Sequence, residues 1–201
     1  LKVDRLLKLE TRKEYKFIFS NNQIHQIFSQ FDSKLKKLHP QRKIESIYLD
    51  TIDFELYKKS IFLDVDKFKV RYRKYPDSSN IYFEAKHNTK NGKFKEKILS
   101  ELNSFDEIKN VIYKGYHLEK SLVVNYLRSY YFFRNLRITI DQNLSFKGTN
   151  NRLQHNFEQK YDQNIVEYKL LNEDSDIEKY FLSNPIKFSK YDYGIQKIYN
   201  I

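Results

Sequence analysis

Residues 67–86 constrain the fold more than any other stretch of this chain. They read KFKVRYRKY, then PDSSN, then IYFEAK. In the first run Lys69, Arg71 and Arg73 alternate with Phe68, Val70 and Tyr72. In the second, Tyr82, Glu84 and Lys86 alternate with Ile81, Phe83 and Ala85. Strand side chains point to opposite faces with a period of two, so each run reads as a strand with one apolar and one charged face. The Pro-Asp-Ser-Ser-Asn insert predicts a hairpin between them. Such a hairpin must bury one face and find a use for the other.

The patterning continues on both sides of the hairpin. Residues 9–19 read as a first strand with Arg12, Glu14 and Lys16 on one face. From 22 to 38 the period becomes helical, with Ile24, Ile27, Phe28, Phe31, Leu35 and Leu38 on one side, and His39-Pro40 predicts the stop. Residues 45–50 are strand-like, and Asp53 is placed to cap a short helix carrying Leu56 and Tyr57. After an Asn91-Gly92 turn, another strand puts Lys93, Lys95 and Lys97 on one face. Ser104 and Glu107 have capping-box spacing for a helix ended by Gly115. An apolar, aromatic run follows at 121–133. Residues 136–140 alternate, with Arg137, Thr139 and Asp141 on the polar side, and 147–163 read as a loop. Residues 165–171 form a strand with Glu167 and Lys169 on its polar face. Ser175 and Glu178 suggest a second capping box, for a helix ending before Pro185, and 187–199 begins extended and closes as a short helix. The sum is seven or eight strands and three or four helices in one domain spanning 1–201.

Composition narrows the function. A net charge of +11 implies a polyanionic partner: nucleic acid, an anionic membrane surface or a phosphate-rich small molecule. A lysine-rich, AT-biased proteome produces the same surplus without any such partner. The absence of cysteine excludes disulfides and thiolate metal sites. With no apolar run near the roughly 20 residues of a bilayer span, and no signal peptide, a cytoplasmic soluble domain is expected.

For any one strand, a solvated polar face explains the alternation. The set is harder to explain that way. Arg71 with Arg73, Lys95 with Lys97, and the nearby Arg128 and Arg137 place like charges on shared faces, which destabilises a sheet unless an anion lies between them. Amphipathic helices also need apolar surfaces to cover. The expected architecture is α+β: an eight-stranded antiparallel β-barrel, or tunnel, with a charged interior and helices packed outside. A lumen of guanidinium and ammonium groups suits an oligophosphate. Glu14, Glu84 and Glu167 each sit two residues from a lysine (Lys16, Lys86, Lys169). Either each neutralises that lysine, or the site takes phosphate together with Mg²⁺ or Mn²⁺, for which Glu167 is the stronger ligand candidate. The five histidines show no ligand spacing. A basic β-domain gripping nucleic acid remains the alternative, against which these acids and the lack of a nucleic-acid motif count.

In order along the chain, RKEYKF (12–17), SIYLDT (46–51) with Tyr57, KVRYRKY (69–75), FEAK (83–86), Lys95 with Lys97, NYLR (125–128), LRITID (136–141), VEYKL (166–170) and KFSKYDYG (187–194) resemble the VTC (vacuolar transporter chaperone) domain. That domain is the polyphosphate polymerase branch of the triphosphate tunnel metalloenzyme, or CYTH-like, superfamily. The resemblance covers nearly the whole chain and implies an eight-stranded tunnel that binds ATP, triphosphate or polyphosphate. Lys16, Arg71, Arg73, Lys86, Lys95 or Lys97, Arg128, Arg137, Lys187 and Lys190 would hold phosphates. Tyr126 and Ser189 would hydrogen-bond them, and Glu167 would hold Mn²⁺ or Mg²⁺. The implied activity is ATP-driven polyphosphate synthesis, with triphosphate hydrolysis or polyphosphate sensing as the alternatives. No nucleic acid is expected. The segment between Lys86 and Lys95 departs from the pattern, which leaves Lys95 and Lys97 as alternatives. The phosphate-sensing and membrane-spanning segments of the eukaryotic assemblies are missing, so a stand-alone domain is expected, with a membrane-associated protein as a compatible partner.

Overall fold

A computed structural model describes residues 8–9, 13–31, 34–75, 79–149, 158–170 and 177–201. The hairpin is β4 (Lys67–Lys74) and β5 (Ile81–Thr89), paired antiparallel with Lys69 opposite Lys86 and Arg71 opposite Glu84. Strand β6 (Gly92–Leu99) follows a turn in which Gly92 takes φ 114°, a value that favours glycine. The remaining strands are β1 (Lys8–Leu9), β2 (Glu14–Phe19), β3 (Lys36–Asp50), β7 (Val111–Tyr113), β8 (Tyr116–Phe133), β9 (Leu136–Gly148), β10 (Glu158–Tyr161) and β11 (Asn164–Leu170). The helices are α1 (Asn21–Gln30), α2 (Glu55–Phe62) and α3 (Lys190–Tyr199).

All the strands join one antiparallel sheet ordered β1-β6-β5-β4-β3-β8-β9-β11-β2, with β7 and β10 paired onto β8 and β9. The expected antiparallel α+β architecture is present, but among the described residues the sheet has eleven strands where eight were expected, and no hydrogen-bonded ladder closes it. Its two terminal strands, β1 and β2, are nevertheless neighbours in sequence, four residues apart. Glu14 Oε2 on β2 lies 3.8 Å from Lys86 Nζ on β5, near the opposite end of the path.

One face is apolar. Helix α1 starts at Ser20, whose hydroxyl caps the Gln23 amide while the Gln23 side chain accepts from the Ser20 N–H. It buries Ile24 and Ile27 with Phe17, Phe19, Ile138, Ile140, Val166 and Tyr168. A second apolar cluster joins Ile47, Val70, Phe83 and Ala85 to Leu56 of α2. The other face carries the charges, and there the expectation that all helices pack outside is corrected. Tyr191, Ile195 and Ile198 of α3 pack with Leu122, Val124, Tyr126 and Phe146, which share a face with Ser46, Tyr48, Arg71 and Arg73. Gly194 permits this approach. A Cβ there would lie 2.5 Å from Leu122 Cδ2 and 2.6 Å from Phe146 Cδ1.

A bulge decides what else faces that side. Asn125 pairs with Ser145 and Leu127 with Gln142, so Tyr126 opposes both Asn143 and Leu144, and Asn143 takes φ 52°. The inward set on β9 therefore changes parity, from Phe146 and Leu144 to Asp141, Thr139 and Arg137. No period-two reading contains that step.

Five sequence expectations change. The helix predicted over 22–38 ends at Gln30, because Lys36, Lys37 and His39 pair with β8. Pro40, which has no N–H to donate, falls at the register shift between His39 and Arg42. The cap of α2 is Asp50 rather than Asp53: its carboxylate accepts the N–H groups of Thr51, Leu56 and Tyr57 at 2.7, 2.8 and 3.0 Å, as well as the Tyr191 hydroxyl. Ser104 and Glu107 cap a single 3-10 turn, Phe105–Glu107, and Gly115 serves the β7–β8 turn at φ 80°. Within the predicted 147–163 loop, 158–161 form β10. The predicted capping residue Ser175 lies outside the described residues, and 177–180 form a 3-10 turn.

Candidate phosphate-binding face

Two cationic clusters converge on the charged side, each around one buried carboxylate. At the first, the Arg71 guanidinium donates through Nε and Nη2 to Glu84 Oε2 at 2.8 and 2.6 Å, and through Nη1 to the Tyr48 hydroxyl at 2.9 Å. Lys95 Nζ donates to Glu84 Oε1 at 2.7 Å, and Arg73 Nη1 stands 3.8 Å from Glu84 Oε2. Arg73 also donates to Ser46 Oγ (3.0 Å) and the Tyr126 hydroxyl (3.1 Å). Glu84 is 2% exposed. Burial alone would raise its pKa, but Arg71, Arg73 and Lys95 outweigh burial and hold the carboxyl well below the usual carboxylate range. Burial brings Lys95 down to about 8 against the opposing pull of Glu84. Burial would raise Tyr48, yet Arg71 and Arg73 outweigh it and bring the phenol down to about 8.

At the second cluster, Arg128 forks onto Asp141 at 2.5 and 2.7 Å, and Lys190 Nζ reaches Asp141 Oδ2 at 2.6 Å. Both cations lie over the Tyr126 ring, 5.1 and 4.9 Å from its centre. Helix α3 supplies further ties. Lys69 Nζ donates to Asp192 (2.6 Å) and Ser189 Oγ (2.8 Å), and Lys16 Nζ donates to the Phe188 carbonyl (2.8 Å). Burial lowers the Lys16 pKa although Glu167 opposes it. Beyond Asp141, Lys169 Nζ stands between Glu14 Oε1 and Glu167 Oε1, the latter at 2.9 Å. Burial would raise Glu167, yet Lys169, Arg128 and Lys16 depress it well below the carboxylate range.

Most of the residues singled out from sequence therefore meet on one face: Lys16, Arg71, Arg73, Lys86, Lys95, Tyr126, Arg128, Arg137, Glu167, Ser189 and Lys190, with Glu14 and Glu84 among them. Lys95 and Lys97 share that face. Lys95 engages Glu84, whereas the Lys97 ammonium sits 3.8 Å from the Tyr82 ring centre. Lys187 is exposed in the extended segment before α3, and no hydrogen bond or ion pair ties it to either cluster. His87 lies on the opposite face with Tyr113, its Nε2 2.8 Å from the hydroxyl. Sequence reading missed Asp141 and Asp192 as the counter-ions of Arg128, Lys190 and Lys69. Their only signals were the polar side of LRITID and an acid two residues after Lys190.

Among the described residues no three His, Asp or Glu side chains cluster as metal ligands. A two-carboxylate site is compatible with the geometry, because Glu14 and Glu167 converge on one cationic centre, the Lys169 ammonium. A divalent ion completed by substrate phosphates needs no more than one or two carboxylates. Glu84 is unsuited, since three cations already surround it.

The VTC domain model matches residues 11–101 and 99–199. The chain belongs to the VTC domain family. Among solved structures, this VTC domain is similar to a Bacillus halodurans protein described as a candidate adenylate cyclase, at a TM-score of 0.60 and 14% identity over 93% of this chain and 97% of that one. It is also similar to the PH1819 protein of Pyrococcus horikoshii OT3, at a TM-score of 0.57 and 12% identity, covering 92% and 99%. At these identities the likeness is one of fold. Comparison with curated proteins found no match. No helix among the described residues is long and apolar enough to cross a membrane.

Proposed function

We propose that this VTC domain is a metal-dependent phosphotransferase that builds polyphosphate from ATP, with the charged face curved into a tunnel around the substrate. The observation carrying this reading is the desolvated charge surplus, in which Arg71, Arg73 and Lys95 share a single carboxylate, Glu84. Removing guanidinium and ammonium groups from water is costly, and an oligophosphate offsets that cost better than one glutamate does. Supporting the tunnel are the sequence adjacency of the two terminal strands and the approach of Glu14 to Lys86. Strands from both ends of the chain share the sheet, so 1–201 is read as one working unit. Nucleic acid fits poorly, because the carboxylates of Glu84, Asp141 and Glu167 stand among the cations.

In this reading Arg71, Arg73, Lys86, Lys95, Arg128, Lys16, Lys190 and Arg137 hold phosphoryl oxygens. Tyr126 and Ser189 hydrogen-bond them, with Lys97 and Lys187 at the periphery. Glu167 with Glu14 would hold Mn²⁺ or Mg²⁺, which when bound neutralises phosphate charge. Phosphoryl transfer is governed by alignment and charge stabilisation, so no side-chain nucleophile is required. A terminal oxygen of the growing chain attacks the γ-phosphorus of ATP, the bond to the β,γ-bridging oxygen breaks, and ADP leaves. The arginines align the two reactants and stabilise charge on the equatorial oxygens. Incubation with ATP and Mn²⁺ should give chains resolvable on a gel, and Arg71→Ala or Glu167→Ala should abolish them. Release of free phosphate without chains would make the domain a hydrolase. Neither product, with no phosphate binding, would end the enzyme reading.

A further inference from the structure

Among the described residues, two buried polar atoms on the charged face have no hydrogen-bond partner. Thr139 is 3% exposed, and its hydroxyl makes no hydrogen bond; the same holds for Arg137 Nε, two residues before it on β9. Buried polar atoms are nearly always paired, and an unmade bond costs the whole desolvation of the group. A valine would give Thr139 the same shape without that cost. The position is specific. In register, Thr139 lies between Tyr130 on β8 and Glu167 on β11, and Arg137 lies between Phe132 and Lys169. The neighbouring charges are already committed. Arg128 and Lys190 engage Asp141, and Lys169 is shared between Glu14 and Glu167. That second group carries one net negative charge, so an anion arriving there needs donors that are not already spent.

We infer that Thr139 Oγ1 and Arg137 Nε form an anion subsite beside Glu167, each donating to a phosphoryl oxygen of the bound oligophosphate. The inference rests on the phosphate-binding reading of the face and adds Thr139 to it as a ligand-contacting residue. The Asn143 bulge is what turns both side chains inward, beside the Glu167 and Glu14 carboxylates that would hold a divalent ion.

The test is calorimetric titration of inorganic tripolyphosphate into the wild-type chain and into Thr139→Val, Thr139→Ala and Thr139→Ser, with melting curves of each free protein. Val and Ala should bind about tenfold more weakly, which is about 1.4 kcal/mol. Ser should stay within about twofold of wild type. The valine variant should melt no lower than wild type, since its hydroxyl had no partner to lose. Wild-type affinity in both Val and Ala would overturn the subsite while leaving the phosphate reading intact. A wild-type chain that does not bind tripolyphosphate would overturn both.

Discussion

Glu84 is the residue through which pH should act. Its two oxygens are shared by Arg71, Arg73 and Lys95, which hold this carboxylate ionised against its burial, while burial brings Lys95 down to about 8, with Tyr48 on Arg71 also at about 8. Raising pH from 7 to 9 therefore removes a positive charge and adds a negative one at a single cluster. Tripolyphosphate affinity should fall over that interval. The double variant Lys95→Arg/Tyr48→Phe, which keeps the cation and cannot form a phenolate, should show only the ligand's own titration. Calorimetry at pH 7, 8 and 9 measures it, and parallel profiles for the two proteins would refute the assignment. Stability of the free protein has the opposite sign. Between about 8 and their ordinary values, Lys95 and Tyr48 hold their protons in the unfolded chain but not in the folded one, so folding gains stability as pH rises there. Binding should weaken while the fold strengthens, a divergence that a general alkaline denaturation cannot mimic. At this scale the alternation of Lys69, Arg71 and Arg73 with apolar residues was enough to find the cluster. It could not reveal that Glu84 serves three cations, because Glu84 and its partners lie on three strands and pairing is invisible in any one of them.

Helix α3 couples packing to charge. Gly194 lets it rest on Leu122 and Phe146, while Lys190 and Asp192 near its start bind Asp141 and Lys69. Both contact side chains are fully buried, so neither tip can swing away cheaply. Gly194→Ala should cost about 1–3 kcal/mol, read as a lower melting temperature, and should weaken tripolyphosphate binding by lifting the helix. Leu122→Ala in the same chain should recover part of the loss, and strict additivity of the two changes would mean that the contact is not the cause. The KFSKYDYG string marked this element in the sequence, but its side of the sheet was not legible. An amphipathic helix looks the same whether its apolar stripe covers an outer face or the apolar end of an inner one. Residues 31–40 failed for a related reason: Leu35 and Leu38 continue the helical spacing of Ile24 and Ile27, yet ladder pairing of Lys36 and Lys37 with Phe132 and Tyr131 overrides it. The parity change at Asn143 was equally hidden, since LRITID and the following residues read as one alternating strand.

For the molecule as a whole, the charge surplus should make folding depend on anions. A ligand at one hundred times its dissociation constant adds about 2.7 kcal/mol, and at about 2–4 °C per kcal/mol for a chain of this size tripolyphosphate should raise the melting temperature by about 5–11 °C. Sodium chloride at matched ionic strength should not. Equal shifts from both salts would mean that only general screening is at work. The class of fold was readable because nearly every strand announced itself by period; the order of strands in the sheet was not, because it depends on which strands lie at its two ends. That order carries a consequence for biosynthesis. Within the described sheet, β2 pairs with β11 alone, so the segment bearing Phe17, Ile18 and Phe19 has no ladder partner until residue 170 has been made. At about 5–20 residues per second, the ribosome leaves that apolar strand waiting for roughly ten to thirty seconds. Glu14 and Lys16, the charges it later brings to the charged face, are the kind of side chain that discourages an unpaired strand from joining a stranger.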